Sequence, residues 1–354
     1  MGVTQEEWQQ SERAIIDEFF RVKVPEALNV ENGTEVSCTE ASCIEFGKQI
    51  VEADDLAPVE NQGFSSFTLV CHSKSQVIQF RLRPFNTSTL ELAHQIYGDT
   101  VPRTIFHGNF CLPVYTSKII SGKFHVLQPF PEAKFPLERQ KRTITDLGRF
   151  VARATFFPQP KTSYKADSWT AKSKETLERL HHSLSFHACA PEIAGIVACL
   201  RGKISLLGRL PAVLTHHDFS EVNILVDEAG NLTSVIDFDV AGVEDFGMCI
   251  WGIYECFLGS MEQGKWSFYN QKADGHRGRT IREVLEIAFW DSLWSSVSPE
   301  LQRQDLEAAI GVALSIGVIN RYFIRGMMDE IDLSDKVHRL SLEYAKGILP
   351  AIWD

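Results

Sequence analysis

One aspartate, one asparagine and a second aspartate stand in Leu214–Asp239 at a spacing suited to chemistry on a phosphate: Asp218, Asn223 and Asp237. After Asn223 come two β-prone apolar runs, Ile224–Val226 and Leu232–Phe238, with Asp237 at the end of the second. They are separated by Asp227-Glu228-Ala229-Gly230-Asn231, a cluster of turn formers. The segment therefore reads as a loop followed by a hairpin. A hairpin returns the chain on itself, so Asp237 comes back beside Asn223. A carboxylate oxygen and an amide oxygen so paired suit Mg²⁺, which takes hard oxygen ligands and keeps positions for substrate phosphates. Asp218 lies just outside the pair, placed to accept a proton from an attacking hydroxyl.

The pattern H-x-D-x-x-x-x-N from His216 to Asn223, followed by a strand ending in Ile236-Asp237, resembles the catalytic and metal-binding loops of the aminoglycoside phosphotransferase and choline kinase group, distant relatives of the protein kinases. Phe246-Gly247-Met248-Cys249 and Gln62-Gly63-Phe64-Ser65-Ser66-Phe67 are similar to a branch of that group common in filamentous fungi. The likeness covers residues 50–260 clearly and the ends weakly. It implies an α+β, two-lobed protein-kinase-like fold. A small antiparallel β-rich lobe over 1–117, with a helical N-terminal extension, would bind nucleotide. A larger helical lobe over 118–354 would carry the catalytic and metal loops and the acceptor site. ATP and Mg²⁺ are the implied cofactors, with Asp218 catalytic, Asn223 and Asp237 on the metal, and His216 a scaffold for the loop. The implied acceptor is a hydroxyl of a small molecule, a secondary metabolite or amino-alcohol, with Glu244, Asp245, Trp251 and Glu255 near it. His217 stands where relatives often carry Gly, and its direction is open.

The nucleotide half departs from the group. Asn61–Ser66 would be the turn between the first two strands, where Gly63 lets backbone approach the phosphates and Ser65 and Ser66 offer hydroxyls; a plain hairpin turn fits the single glycine equally. The third strand should carry a lysine for the α- and β-phosphates, yet the run Gln76–Arg83 has Gln79 there. Strand side chains alternate, so Gln79, Arg81 and Arg83 share one face and Ile78, Phe80 and Leu82 the other. Arg81 is thus the candidate for the missing cation, with a solvated edge-strand arginine as the alternative; Glu91 in the next helix is its candidate partner. Tyr115–Ile119 would be the hinge, with Ser117 and Ile119 offering backbone groups to adenine. Gln79 keeps two other readings open: a catalytically silent nucleotide-binding pseudokinase, and a same-fold enzyme of non-kinase chemistry such as nucleotidyl transfer or cyclisation. Asp218, Asn223 and Asp237 together argue against the first, since a binding module needs no base.

At 354 residues, 44% hydrophobic and 23% charged, the chain is long enough for two domains, and its net charge of −11 argues against nucleic acid or an anionic membrane as partner. Eight cysteines without C-x-x-C spacing read as thiols in a reducing compartment, and MGVTQEEWQQ holds no apolar signal core, so the expectation is cytoplasmic. Oligomeric state is not legible. Helical patterns fall at Glu6–Arg21, Ser88–Tyr97, Ser173–Ser183, Glu192–Arg201, Arg279–Val297, Leu301–Ile324 and Ser334–Gly347. Strand patterns fall at Ser66–His72, Gln76–Leu82 and Cys111–Ser117. Thr143-Ile144-Thr145-Asp146 reads as the capped start of a further helix, and Gly259–Gly278 as a surface loop.

Overall fold

A computed structural model describes residues 13–29, 38–59, 62–128, 134–323 and 331–353. Two compact units emerge, Met1–Leu90 with Pro102–Ile120, and Glu91–Val101 with Ser121–Asp354. The chain therefore passes between units three times, where the sequence suggested a single division after residue 117.

The first unit is built on an antiparallel sheet of β1 (Leu56–Pro58), β2 (Ser66–Cys71), β3 (Gln76–Arg81), β4 (Thr104–Asn109) and β5 (Pro113–Lys118), in the order β1-β2-β3-β5-β4. The period-two pattern of β3 does what it predicts. Ile78 and Phe80 are fully buried with Phe67 and Leu69 of β2 and Val114 of β5, and opposing apolar side chains are what stabilise a pleated pair. Against this face packs the helix Glu40–Val51, which the sequence reading missed. Its buried positions are the small residues Cys43, Gly47 and Val51, which make a faint apolar stripe, but Thr39 and Ser42 close a capping box at its start. Residues 13–27 are helical; residues 6–12 of the expected helix Glu6–Arg21 lie outside the described residues.

Cys38 and Cys111 form a disulfide, with Cα atoms 5.7 Å apart and a sequence separation of 73. This sets two of the eight apart from the reading of the cysteines as thiols, and the cysteines carry no argument for a reducing compartment. Closing a loop of that size stabilises by about 4 kcal/mol in the chain-entropy account.

The second unit is mostly helical: Leu137–Arg153, Trp169–His182, Pro191–Lys203, Ile281–Ser296, Arg303–Phe323 and Lys336–Trp353. The helix expected to start at Thr143 starts at Leu137 instead, after Pro136. The T-x-x-D pair holds the hairpin of Ile224–Val226 and Leu232–Val235 rather than capping: Thr143 Oγ1 donates to Gly230 O at 2.7 Å, and Asp146 Oδ2 accepts from Leu232 N at 3.1 Å. The expected loop Gly259–Gly278 opens with a hairpin, Gly259–Glu262 paired with Lys265–Phe268. Arg303–Phe323 is long and apolar enough to cross a membrane by length and composition; 78% of its apolar window is buried inside the protein, the pattern of a core helix.

Candidate active site

The strand Ala212–Thr215 pairs with Gly242–Asp245 and ends in register with Gly242, so His216-His217-Asp218 leaves from a fixed point. Two tight turns follow, Ser220 N donating to Asp218 O at 2.8 Å and Asn223 N to Ser220 O at 3.0 Å. The chain then enters Ile224–Val226, which pairs with Leu232–Val235. The expected hairpin is present. Ile236 N donates to Asn223 O at 2.9 Å, which brings the residue before Asp237 against Asn223, as the hairpin argument required.

His216 ties the loop to the hairpin. Its Nε2 is 2.8 Å from Ile236 O, and Asp218 N is 3.2 Å from its Nδ1. A carbonyl only accepts and an amide only donates, so Nε2 carries the proton and Nδ1 does not. The ring is neutral, and its burial lowers the imidazole pKa from its ordinary value. His216 is thus a scaffold in this geometry. His217, whose direction was open, turns to Glu244 Oε1 at 3.0 Å and stacks on Trp169 with centroids 4.4 Å apart.

Asn223 is 6% exposed, and its Nδ2 donates to Asp218 O at 2.9 Å and Asp218 Oδ2 at 3.1 Å. That commits the nitrogen and leaves Oδ1 as the atom Asn223 could offer a cation. Asp237 is exposed and sits at φ 61°, ψ 52°. This left-handed conformation is uncommon outside glycine and costs on the order of 1–3 kcal/mol. No side-chain hydrogen bond engages its carboxylate among the described residues. One amide oxygen and one uncommitted carboxylate are hard donors of the kind a magnesium ion takes from protein while keeping water and phosphate ligands. The donor set fits that ion.

Around Asp218 stands a group the sequence reading did not assemble. Arg321 Nη1, near the end of Arg303–Phe323, is 2.9 Å from Asp218 Oδ1. Its guanidinium also lies over Trp251, 4.6 Å from the ring centroid, with Nε 3.9 Å from Glu255 Oε2. Tyr322 hydroxyl donates to Glu255 Oε2 at 2.5 Å. Burial pushes the Glu255 carboxyl pKa up, against the pull of Arg321. Two glycines let these elements close. A Cβ at Gly252 would sit 1.8 Å from Phe219 O in the catalytic loop, and one at Gly317 would sit 2.0 Å from Met248 O. The only sequence signal for Arg321 was a single cation at the end of an apolar helical run, and buried arginines are rare unless paired.

The four residues expected near an acceptor are held internally instead. Glu244, 0% exposed, accepts from the N–H groups of Trp169 and Thr170 at 2.8 and 2.7 Å, at the start of a helix, where an anion is favoured. Asp245 accepts from Tyr164 hydroxyl at 2.6 Å, and its burial pushes the carboxyl pKa up. Trp251 is core, and Glu255 is bound to Tyr322 and Arg321.

In the first unit, Gly63 and Ser65 are exposed and Ser66 opens β2, its hydroxyl 3.3 Å from Thr68 Oγ1. Gln62 clips the turn down, with Nε2 to Thr68 O at 2.8 Å and Thr68 N to Oε1 at 2.9 Å; Asn61 lies outside the described residues. Gln79 pairs with Thr68 and Tyr115 in the ladder. Arg81 is 3% exposed, not solvated, and its guanidinium stacks on Phe85 at 3.9 Å. Ser117 sits within β5, and Ile119 N donates to Ser75 O at 2.9 Å. That N–H is engaged within the chain, so of the two backbone groups of Ile119 the carbonyl is the one left to offer. Glu91, the candidate partner of Arg81, is exposed.

Residues 125–279 match the family model described as the phosphotransferase enzyme family, and those residues contain the whole loop and hairpin. Over those residues the chain resembles that family. Solved structures with the same fold include a spectinomycin phosphotransferase in complex with ADP and spectinomycin, at TM-score 0.52 and 12% identity over 90% of this chain and 98% of that one. An ADP-bound aminoglycoside phosphotransferase aligns at 0.50 and 14%, over 87% and 98%. A choline/ethanolamine kinase family protein from Mesorhizobium loti aligns at 0.50 and 11%, over 88% and 94%. At such identities the likeness is one of fold, and that fold is kinase-like. No curated protein matches this phosphotransferase-like chain. The branch common in filamentous fungi rests on the sequence motifs alone.

Proposed function

We propose that the protein is a small-molecule kinase that transfers the terminal phosphoryl group of ATP to a hydroxyl. The observation that carries this reading is the Asp218–Asn223 pair, in which one side-chain amide orients the carboxylate through Nδ2 and keeps Oδ1 for a cation. Asn223 and Asp237 would hold Mg²⁺, which, when bound, neutralises charge developing on the phosphates. The acceptor hydroxyl gives its proton to Asp218 as the new O–P bond forms and the bond from the γ-phosphorus to the bridging oxygen breaks, releasing ADP. Positioning and electrostatics supply most of the acceleration in such transfers.

For the nucleotide we assign Gly63, Ser65 and Ser66 to the phosphates, Gln79 and Arg81 to the α- and β-phosphates, and Ser117 with the Ile119 carbonyl to adenine. A guanidinium can stack by its face and bind phosphate through its edge, so the Phe85 contact is compatible with this role. Nothing around Glu244, Asp245 or Glu255 favours a cationic acceptor, because all three carboxylates are engaged within the chain, and Trp251 is core.

A second reading has one observation in its favour, the neutral Gln79 where a lysine is expected: a silent nucleotide binder, or an enzyme of other chemistry on the same fold. One experiment separates them. The protein is incubated with Mg·ATP and a cell extract, and small molecules are searched for the mass gain of one phosphoryl group. Such a gain, absent with Asp218→Asn, supports the kinase; nucleotide binding with no phosphorylated product at all supports the second reading.

A further inference from the structure

Both carboxylate oxygens of Asp218 are held, and by elements far apart in sequence. Oδ2 accepts from Asn223 Nδ2 at 3.1 Å, from inside the loop, while Oδ1 is 2.9 Å from Arg321 Nη1 on the helix Arg303–Phe323. Arg321 is itself confined. It lies over the Trp251 ring at 4.6 Å and beside Glu255 Oε2 at 3.9 Å, and Glu255 is fixed by the Tyr322 hydroxyl at 2.5 Å. The side chain is mostly covered, with 21% of its surface exposed. A planar, permanently charged fork between a ring and two carboxylates has little rotational freedom, which a lysine in its place would regain.

We propose that Arg321 is the positioning residue of the catalytic base, pinning the Asp218 carboxylate from the side opposite Asn223 so that its remaining lone pairs meet the acceptor hydroxyl in one orientation. This rests on the reading of Asp218 as the base. Asn223 alone fixes one oxygen and leaves the carboxylate able to swing about it; the second contact removes that freedom. Glu255 and Trp251 act on Arg321, and through it on Asp218. Misplacement of a reacting group by about 1 Å costs roughly 10²-fold in rate, which sets the size of the effect.

The probe is Mg·ATP hydrolysis with water as acceptor, followed in wild type, Arg321→Ala, Arg321→Lys, Glu255→Gln and Asp218→Asn. Arg321→Ala should lower kcat by about 10²-fold with KM for ATP changed by less than about threefold. Arg321→Lys and Glu255→Gln should fall between it and wild type. Added guanidinium ion should restore part of the kcat of Arg321→Ala and none of that of Asp218→Asn, a rescue that a purely structural arginine would not allow. Arg321→Ala with unchanged kcat beside an inactive Asp218→Asn would overturn the positioning role and leave the kinase reading standing. Loss confined to melting temperature and KM, with no rescue, would overturn it too. Hydrolysis unaffected by Asp218→Asn would overturn the base assignment, and this proposal with it.

Discussion

Arg81 and Arg321 are both guanidinium groups laid over an aromatic ring, Phe85 at 3.9 Å and Trp251 at 4.6 Å, and they stand in opposite relation to the sequence motifs. Arg81 was singled out because it lies two positions from the expected phosphate lysine on one strand. Arg321 belongs to no motif, yet it is the one that contacts Asp218, the aspartate proposed as the base. The comparison teaches that alternation along a strand assigns a cation to a face, whereas contact with a particular anion depends on which helices cross that face. A ring can hold either guanidinium, and the carboxylates around it decide what the charge does.

The sharpest break in that comparison is at the anion Arg321 serves. Asp218→Asn should reduce phosphoryl transfer by about 10²–10⁴-fold, the usual worth of a positioned base, with Mg·ATP affinity nearly intact. Asp237→Ala should instead abolish Mg·ATP affinity. Titration calorimetry beside steady-state kinetics checks both, and equal losses of binding in the two variants would mean that the roles are wrongly divided.

Arg81 is the other arm. A charge-assisted contact to phosphate is worth roughly 1.5–3 kcal/mol, so Arg81→Ala should weaken Mg·ATP binding by about 10- to 150-fold, and Gln79→Ala by much less. Unchanged affinity in both would remove the phosphate clamp and leave Arg321 as the only functional arginine of the pair.

A smaller effect tests the crossing that places Trp251 beneath Arg321. Gly252→Ala puts a Cβ where Phe219 O lies 1.8 Å away, and overpacking of this kind costs about 1–3 kcal/mol. The melting temperature should fall, and turnover should fall further than binding because the carbonyl pushed aside belongs to the catalytic loop. A variant as stable and active as wild type would show that the helix shifts without disturbing the loop.

The smallest effect concerns the loop's tether. The pKa of His216 is lowered in the folded state by burial, so the unfolded chain binds the proton more readily. Its contribution to stability is complete above the unfolded value of about 6.5 and is lost progressively as pH falls below it. The melting temperature should therefore drop between about pH 7 and 5.5 in wild type and drop less in His216→Gln; parallel pH curves would mean that the imidazole is not held neutral.

Legibility in the sequence followed the range of the interactions. The hairpin after Asn223 was readable because turn formers and β-prone runs act over a few residues, and the pairing Ile224 with Val235 follows from them. Most long helices were readable within a few residues of their ends because their apolar period repeats over several turns. The helix Glu40–Val51 was not, since Cys43 and Gly47 make too weak an apolar stripe, and Thr143-Ile144-Thr145-Asp146 misled because a capping pattern and a pair of hairpin-holding side chains look alike locally. The disulfide Cys38–Cys111 joins positions whose proximity no spacing rule discloses.

By itself the sequence determined the α+β class, the loop and hairpin that bring Asn223 and Asp237 together, and the identity of the base candidate. Those depend on propensity and short-range hydrogen bonds, which are encoded where they act. Only the tertiary structure decided that Glu244 and Asp245 are engaged within the chain, that the Ile119 N–H is bonded to Ser75 O, and that Arg321 stands between Asp218 and Glu255. A buried charge must find its partner wherever the packed helices bring one, and close approaches such as those at Gly252 and Gly317 settle that only once the whole unit has closed.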